Sequence, residues 1–307
     1  MRLTHFVNWI PENRISAAEI ITQSGASPSE ARIFSQLFGF RQVAALDGET
    51  AVEQVLFHLL DRLQQEAPQP ALPADTLIYV HGMPVQHPDA PGWSARLRAH
   101  PFMTPDAACY ELDQQNCATL FWALDLARRL LTTRQARRIA IVAGDTLSTF
   151  PPEERYVAGC TLVGDAFSAL LLEEADEGLQ IGPIFLAQRP EFHAGIHDGE
   201  QAKKDFYQAH DELVSAALLG AGVTPHEQPM LLPHNVNRIS WLNYSRRHHY
   251  PMESIALGLM PDIGHCYTTD SLLLLQMALP AVLAGTPHVM LSVGLGAWIG
   301  SCRLFYV

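Results

Sequence analysis

Two passages of the same order, one in each half of the chain, constrain its fold more than any other feature. In the first, Thr76-Leu-Ile-Tyr-Val-His81 reads as a buried strand and Ala118 to Leu131 as a helix beginning just after Cys117. A second strand, Arg138 to Ala143, then ends at Gly144-Asp145. In the second passage, Pro229 to His234 repeats the first strand, again with a histidine at its end. Ser271 to Ala284 supplies the helix, and His288 to Val293 the strand ending at Gly294. A helix between two buried strands is a crossover, so the pair predicts an α/β architecture with a mixed sheet covered on both faces. The similar spacing points to an internal duplication, with halves at 1–175 and 176–307.

The chain can bury what this architecture needs, since 48% of its 307 residues are hydrophobic. A formal net charge of −12 without a long basic run excludes a nucleic-acid phosphate surface. Five cysteines, none in a C-x-x-C pair, argue for reduced thiols in a cytoplasmic protein, against a disulfide framework and against a metal site. No run approaches the roughly 18 apolar residues of a membrane span, and the start has no apolar segment of signal-peptide length. Glu173 to Gly178 is an acidic connection between the halves, Gln188 to Lys204 is the candidate lid, and Pro68 to Pro73 is a loop feeding a strand.

Chemistry concentrates at a few positions. Cys117 follows the polar run Asp113-Gln-Gln-Asn116 and opens the first helix. The unpaired N–H groups and dipole of a helix N-terminus stabilise a thiolate, which makes a nucleophile without a neighbouring base. A cysteine there also simply packs well. His234, at a strand end, and His265, in a turn between Gly264 and Cys266, can each donate to a thioester oxygen or accept a proton. Asp270, five residues after His265, either orients its ring or caps the helix at Ser271. Gly144-Asp145 and Gly164-Asp165 lack the rest of a nucleotide loop, and His193, His197, His248 and His249 read as solvated.

Taken in order, these segments resemble the ketoacyl synthase III family over nearly the whole chain. Trp9-Ile-Pro-Glu-Asn13 resembles its tyrosine-leucine-proline-glutamate start, and Gly39-Phe-Arg41 its Gly-Ile-Arg turn. Asn116-Cys117-Ala118 resembles the nucleophile motif Ala-Cys-Ala, and Leu162-Val-Gly-Asp-Ala166 the Phe-Gly-Asp-Gly-Ala segment. Pro233-His-Asn-Val-Asn237 is similar to Pro-His-Gln-Ala-Asn, and Gly294-Leu-Gly-Ala-Trp298 to the glycine-rich C-terminal turn.

The resemblance implies a thiolase-type, pseudo-duplicated five-layer α-β-α-β-α fold and a homodimer; the alternative is that this chain is itself the catalytically silent partner of a heterodimer. It implies acyl transfer through Cys117, an oxyanion hole from the amides of Cys117 and Leu295, and His234 as the first active-site histidine, with Asn237 helping to position the acceptor. The substrate would be acyl-CoA or an acyl group on the phosphopantetheine of acyl carrier protein, with no further cofactor. Where the family has Gly-Asn-Thr, this chain has Gly264-His265-Cys266. Cys-His-His resembles the elongating ketoacyl synthases, which condense with decarboxylation. Cys-His-Asp, through Asp270, resembles a divergent branch that transfers acyl groups to a hydroxyl, amine or carrier. The adenine-clamping tryptophan and arginine are Ile33 and Leu37 here, whereas Arg246-Arg247 match a carrier-docking basic pair or are a plain solvated pair.

Overall fold

The computed structural model describes residues 1–67, 72–83, 92–192, 199–224 and 226–306. Strand β1 (Arg2–Trp9) leads through β2 (Arg14–Ser16) to helices α1 (Ala17–Gln23) and α2 (Pro28–Ile33). A π-helical turn, Phe34–Phe38, precedes β3 (Gln42–Ala44), which pairs antiparallel with β2. Helix α3 (Val52–Glu66), β4 (Ala74–Val80), α4 (Trp93–Leu97) and β5 (Met103–Leu112) follow. Helix α5 (Thr119–Thr132) and β6 (Arg138–Asp145) come next, then a small hairpin of β7 (Tyr156–Val157) and β8 (Thr161–Leu162). Strands β9 (Ala166–Glu173) and β10 (Leu179–Gln188) flank the acidic turn expected between the halves. The remainder holds α6 (Gly199–Gly220), β11 (Met230–Pro233), α7 (Arg238–His248), α8 (Met260–Ile263), α9 (Asp270–Leu283), β12 (His288–Gly294) and β13 (Trp298–Tyr306).

Nine strands join in the order β11-β12-β13-β10-β1-β9-β6-β4-β5. Strands β1 and β10 meet only at Arg2 with Gln180 and Leu3 with Leu179, so the strands form two groups hinged at one short seam. Within them β4 runs parallel to β6, and β11 to β12, which matches the two crossover passages. Helices α5 and α9 lie between the groups. Leu120, Phe121, Ala123, Leu124, Ala127, Leu130 and Leu131 bury a broad face of α5, which packs on β4 and β6 and on β10 and β13, while Arg129 and Thr132 reach solvent. Four consecutive leucines, Leu272 to Leu275, bury every side of the N-terminal half of α9, whose second half reaches solvent at Gln276, Met277 and Leu283. Buried faces this wide place these segments in the core rather than on the surface. Helix α3 covers the outer face of β1, β6 and β9, and α6 that of β10, β12 and β13, completing the expected five layers.

The Gly164-Asp165-Ala166 segment is structural. Asp165 is fully buried and accepts from Arg155 in a two-point pair at 2.8 and 2.7 Å, and from the amides of Leu46 and Leu147 at 2.7 and 2.9 Å. Gly164 donates to the carbonyl of His265 at 2.9 Å, and His265 donates to Leu162 at 2.9 Å. A Cβ on Gly164 would lie 1.8 Å from the Ile263 carbonyl oxygen, so only glycine allows this approach. Of the lid candidate, residues 193–198 lie outside the described residues, while Gly199 onward belongs to α6. Residues 68–71 of the expected loop also lie outside them, and Leu72-Pro73 enters β4.

Removing one member of a buried ion pair strands the other. Arg155→Met is therefore expected to cost about 3–5 kcal/mol, read as a lowered urea midpoint.

Candidate active site

Cys117 lies in a single 3-10 turn, Asn116–Ala118, that runs into α5, and its side chain is buried. His265 follows Gly264, whose φ of +79° and close fit against Leu162 turn the chain sharply after α8. The main-chain bonds to Leu162 and Gly164 hold that turn beside Cys117. The His265 Nε2 is 3.1 Å from Cys117 Sγ, and its Nδ1 is 2.5 Å from Asp270 Oδ2. A thiol, an imidazole and a carboxylate thus stand in line, the order of groups that nucleophile–base–acid sets use. The expectation of a thiol activated without a neighbouring base is corrected, because the imidazole is in direct contact.

Asp270 is the first residue of α9 but does not cap it, so the capping alternative is also corrected. Its Oδ1 accepts from the Cys266 amide at 2.8 Å and Asn235 Nδ2 at 3.1 Å, while Oδ2 accepts from the Asn235 amide at 2.6 Å. The carboxylate instead ties the end of β11 to the His265 turn.

His234 is buried, its ring centre 6.2 Å from that of His265. Its Nδ1 accepts from the Val293 amide at 3.4 Å, which assigns the ring proton to Nε2. Together Cys117, His234 and His265 bound a cavity of about 50 Å³ that also touches Tyr267 and Leu295. An outer cleft of about 370 Å³ shares Tyr207, His210 and Ser240 with it.

Electrostatics follow from burial and from partners. Burial pushes the Cys117 thiol above its ordinary range, partly offset by His265. The helix-end effect alone does not set that acidity. Burial works against a charged His265, yet the facing sulfur, once it is a thiolate, and the Asp270 carboxylate raise it well above its usual value. Burial, with His210 and His265 nearby, holds His234 well below its ordinary value and therefore neutral.

Other expected residues take different places. Asn237 caps α7, accepting from the Ser240 amide at 2.8 Å and donating to the Cys160 carbonyl at 2.9 Å. Its amide thus braces the start of α7 against the Cys160 loop, and the residue also lines the outer cleft. The Leu295 amide donates to Asn116 Oδ1 at 3.3 Å, so one arm of the expected oxyanion hole is engaged. Arg247 pairs with buried Asp211 at 2.5 Å on the cleft rim, and Arg246 is exposed nearby. Ile33 and Leu37 are both exposed, as are His248 and His249. Asp145, from the Gly144-Asp145 motif, is buried and holds the amides of Gly82 and Met83 and the Thr268 hydroxyl.

Sequence reasoning missed Asn116 as an actor and missed His210, a buried histidine on α6 whose ring lies 5.4 Å from that of His234. The asparagine in place of the motif's first alanine was the available signal for Asn116. Nothing in the spacing of α6 singles out His210.

Residues 113–189, which carry Cys117, match the family model described as 3-oxoacyl-[acyl-carrier-protein] synthase III. A comparison with curated proteins gives no match. Among solved structures, β-ketoacyl-[acyl carrier protein] synthase III of Thermus thermophilus superposes with TM-score 0.80 at 20% identity, covering 100% of this chain and 99% of that one. The acyltransferase ChlB3 gives 0.80 at 18% identity, covering 100% and 97%. A variant of OleA from Xanthomonas campestris gives 0.81 at 12% identity, covering 99% and 98%. The chain thus has the thiolase-type fold, and its residues 113–189 are ketoacyl synthase III-like.

The neutral, buried His234 carries a stability signature. Its folded value lies below the ordinary 6.5, so the unfolded chain binds the proton first as pH falls. Its contribution is full above 6.5 and is lost on acidification, whereas that of His265, raised on folding, is full below 6.5 and fades at higher pH. His234→Asn should therefore show a shallower loss of urea stability than the parent between pH 7 and pH 5.

Proposed function

We propose that this ketoacyl synthase III-like chain transfers an acyl group from a thioester to an acceptor through an acyl-enzyme on Cys117. The observation that carries the reading is the line from Cys117 Sγ through His265 to Asp270, with contacts of 3.1 and 2.5 Å. Cys117 gives its proton to His265 Nε2 and attacks the thioester carbonyl. The Asp270 carboxylate stabilises the resulting imidazolium. The amides of Cys117 and Leu295 serve the tetrahedral oxyanion, and the departing thiolate takes the proton back from His265. In the second half, His265 deprotonates the acceptor hydroxyl, amine or thiol. That nucleophile attacks the acyl-enzyme, and Cys117 leaves as a thiolate that recovers the proton.

The outer cleft, meeting the inner cavity at Tyr207, His210 and Ser240, suits the arm of a phosphopantetheine-linked donor. Acyl carrier protein is favoured over free CoA, because exposed Ile33 and Leu37 replace the family's adenine clamp. Asp211 neutralises Arg247, so the docking charge rests chiefly on Arg246. A homodimer is supported by β5, a ten-residue strand at one end of the sheet order, ready to pair with a second copy. A cytoplasmic location accords with the free cysteines, and among the described residues no helix is long and apolar enough to cross a membrane.

Decarboxylative condensation is the second reading, favoured by the Nε2–H of His234 beside His265. Incubation with acyl-carrier and acyl-CoA donors should add one acyl group to Cys117 by peptide mass spectrometry, and none in Cys117→Ala. An unchanged mass gain in that variant would overturn the proposal. His265→Ala is expected to lower kcat by about 10²–10⁴. Release of carbon dioxide from malonyl-carrier, with carbon–carbon bond formation, would select the second reading.

A further inference from the structure

One group at the nucleophile is left unexplained by the Cys117–His265–Asp270 line, namely the carboxamide of Asn116. Its backbone is left-handed, with φ +51°, a conformation that asparagine tolerates better than most residues. The Nδ2 donates to the Gly82 carbonyl at 3.3 Å. The Oδ1 lies 2.8 Å from Cys117 Sγ and 3.3 Å from the Leu295 amide nitrogen. Reversing the amide would set oxygen against the Gly82 carbonyl and NH₂ against the Leu295 N–H. Both pairings are repulsive, so the neighbours fix its orientation.

An oxygen in that place does two things. It accepts the Cys117 S–H in competition with His265 Nε2, which stands farther off at 3.1 Å. It also engages the Leu295 donor where a substrate oxyanion would need it. A thiolate facing this carbonyl oxygen would be repelled, so the contact favours the neutral thiol.

We propose that Asn116 is a substrate-displaced gate, whose amide oxygen occupies the oxyanion position of the free enzyme and holds Cys117 as a thiol until an acyl thioester is seated. The proposal rests on the reading that Cys117 is acylated, and it adds how that site is controlled. As the donor's carbonyl oxygen takes the Leu295 and Cys117 amides, the carboxamide swings away. The S–H then turns to His265 Nε2, its proton passes to that nitrogen, and the sulfur electron pair forms the new carbon–sulfur bond. No proton or electron is gained or lost in the exchange, and no co-reactant is needed.

Iodoacetamide labelling of Cys117, followed by peptide mass spectrometry without any acyl donor, tests the gate. Asn116→Gly keeps the left-handed backbone while removing the amide. Asn116→Ala, which restores the motif's usual residue, checks that a loosened turn is not responsible. Both variants should label Cys117 about tenfold faster than the parent, the worth of one net hydrogen bond, and should accept an acyl group no more slowly. Unchanged or slower labelling in both overturns the proposal. Slower acylation in both also overturns it, because the amide would then be assisting the oxyanion rather than blocking it. A parent enzyme that takes up no acyl group defeats the functional reading instead, and the labelling comparison still judges Asn116 by itself.

Discussion

The carboxylate of Asp270 is the interaction on which the rest of the site depends. It is almost wholly buried, at 1% exposure, in a position where an unpaired charge would be prohibitive. Four donors surround it: His265 Nδ1, the Cys266 amide, and both the main-chain and side-chain nitrogens of Asn235. They come from two segments, the turn after α8 and the end of β11, while the carboxylate itself stands at the N-terminus of the central helix α9. One buried carboxylate thereby fixes the ring of His265, the segment after β11 that carries His234, and the start of the helix between the two strand groups. Its own charge gains from the helix end and from the charge-assisted hydrogen bonds.

Burial that makes Asp270 a good organiser makes Cys117 a reluctant acid. Its sulfur sits at the start of α5, where the helix end favours a thiolate, yet desolvation raises the thiol. Local chain geometry therefore does not activate the nucleophile by itself. In the proposed reaction activation falls to His265, brought to the sulfur by a turn whose shape depends on Gly164 and Gly264 and is braced by the buried Arg155–Asp165 pair. Ion pair, glycines and catalytic line form one continuous support.

Much of the fold was legible because its signals are periodic or compositional. The crossover strands and helices α5 and α9 were visible as apolar runs, and the leucine run of α9 reflects burial on every side. The contacts among Cys117, His265 and Asp270 were legible only as an ordered set of motifs, since the cysteine lies 148 residues from His265 in the chain. What spacing could not show was the direction of side chains. Asp270 stands at a helix start, where sequence favours a cap, but tertiary donors turn its carboxylate away. Asn237 follows the active-site histidine in the motif, yet its amide serves the backbone of α7 and the Cys160 carbonyl. The Arg247 charge is matched by Asp211, which lies 36 residues earlier on another helix and carries no signal linking the two.

The same geometry bears on the choice between simple transfer and condensation. Condensation asks both histidines to donate to the oxygen of a developing enolate, and a neutral Nε2–H on His234 suits that task. His265 is differently placed. Its Nδ1 is committed to Asp270 and its Nε2 faces the sulfur, so the ring is a strengthened base before it is a donor. In the proposed transfer a strong base beside Cys117 serves an acceptor that must lose a proton to attack, a hydroxyl or an amine. It adds little for a nucleophile generated by loss of carbon dioxide, and once protonated it would quench the carbanion that condensation requires. The acid behind the histidine thus weighs toward transfer, and it is the imidazole of His265 that gives the acid a ring to act through.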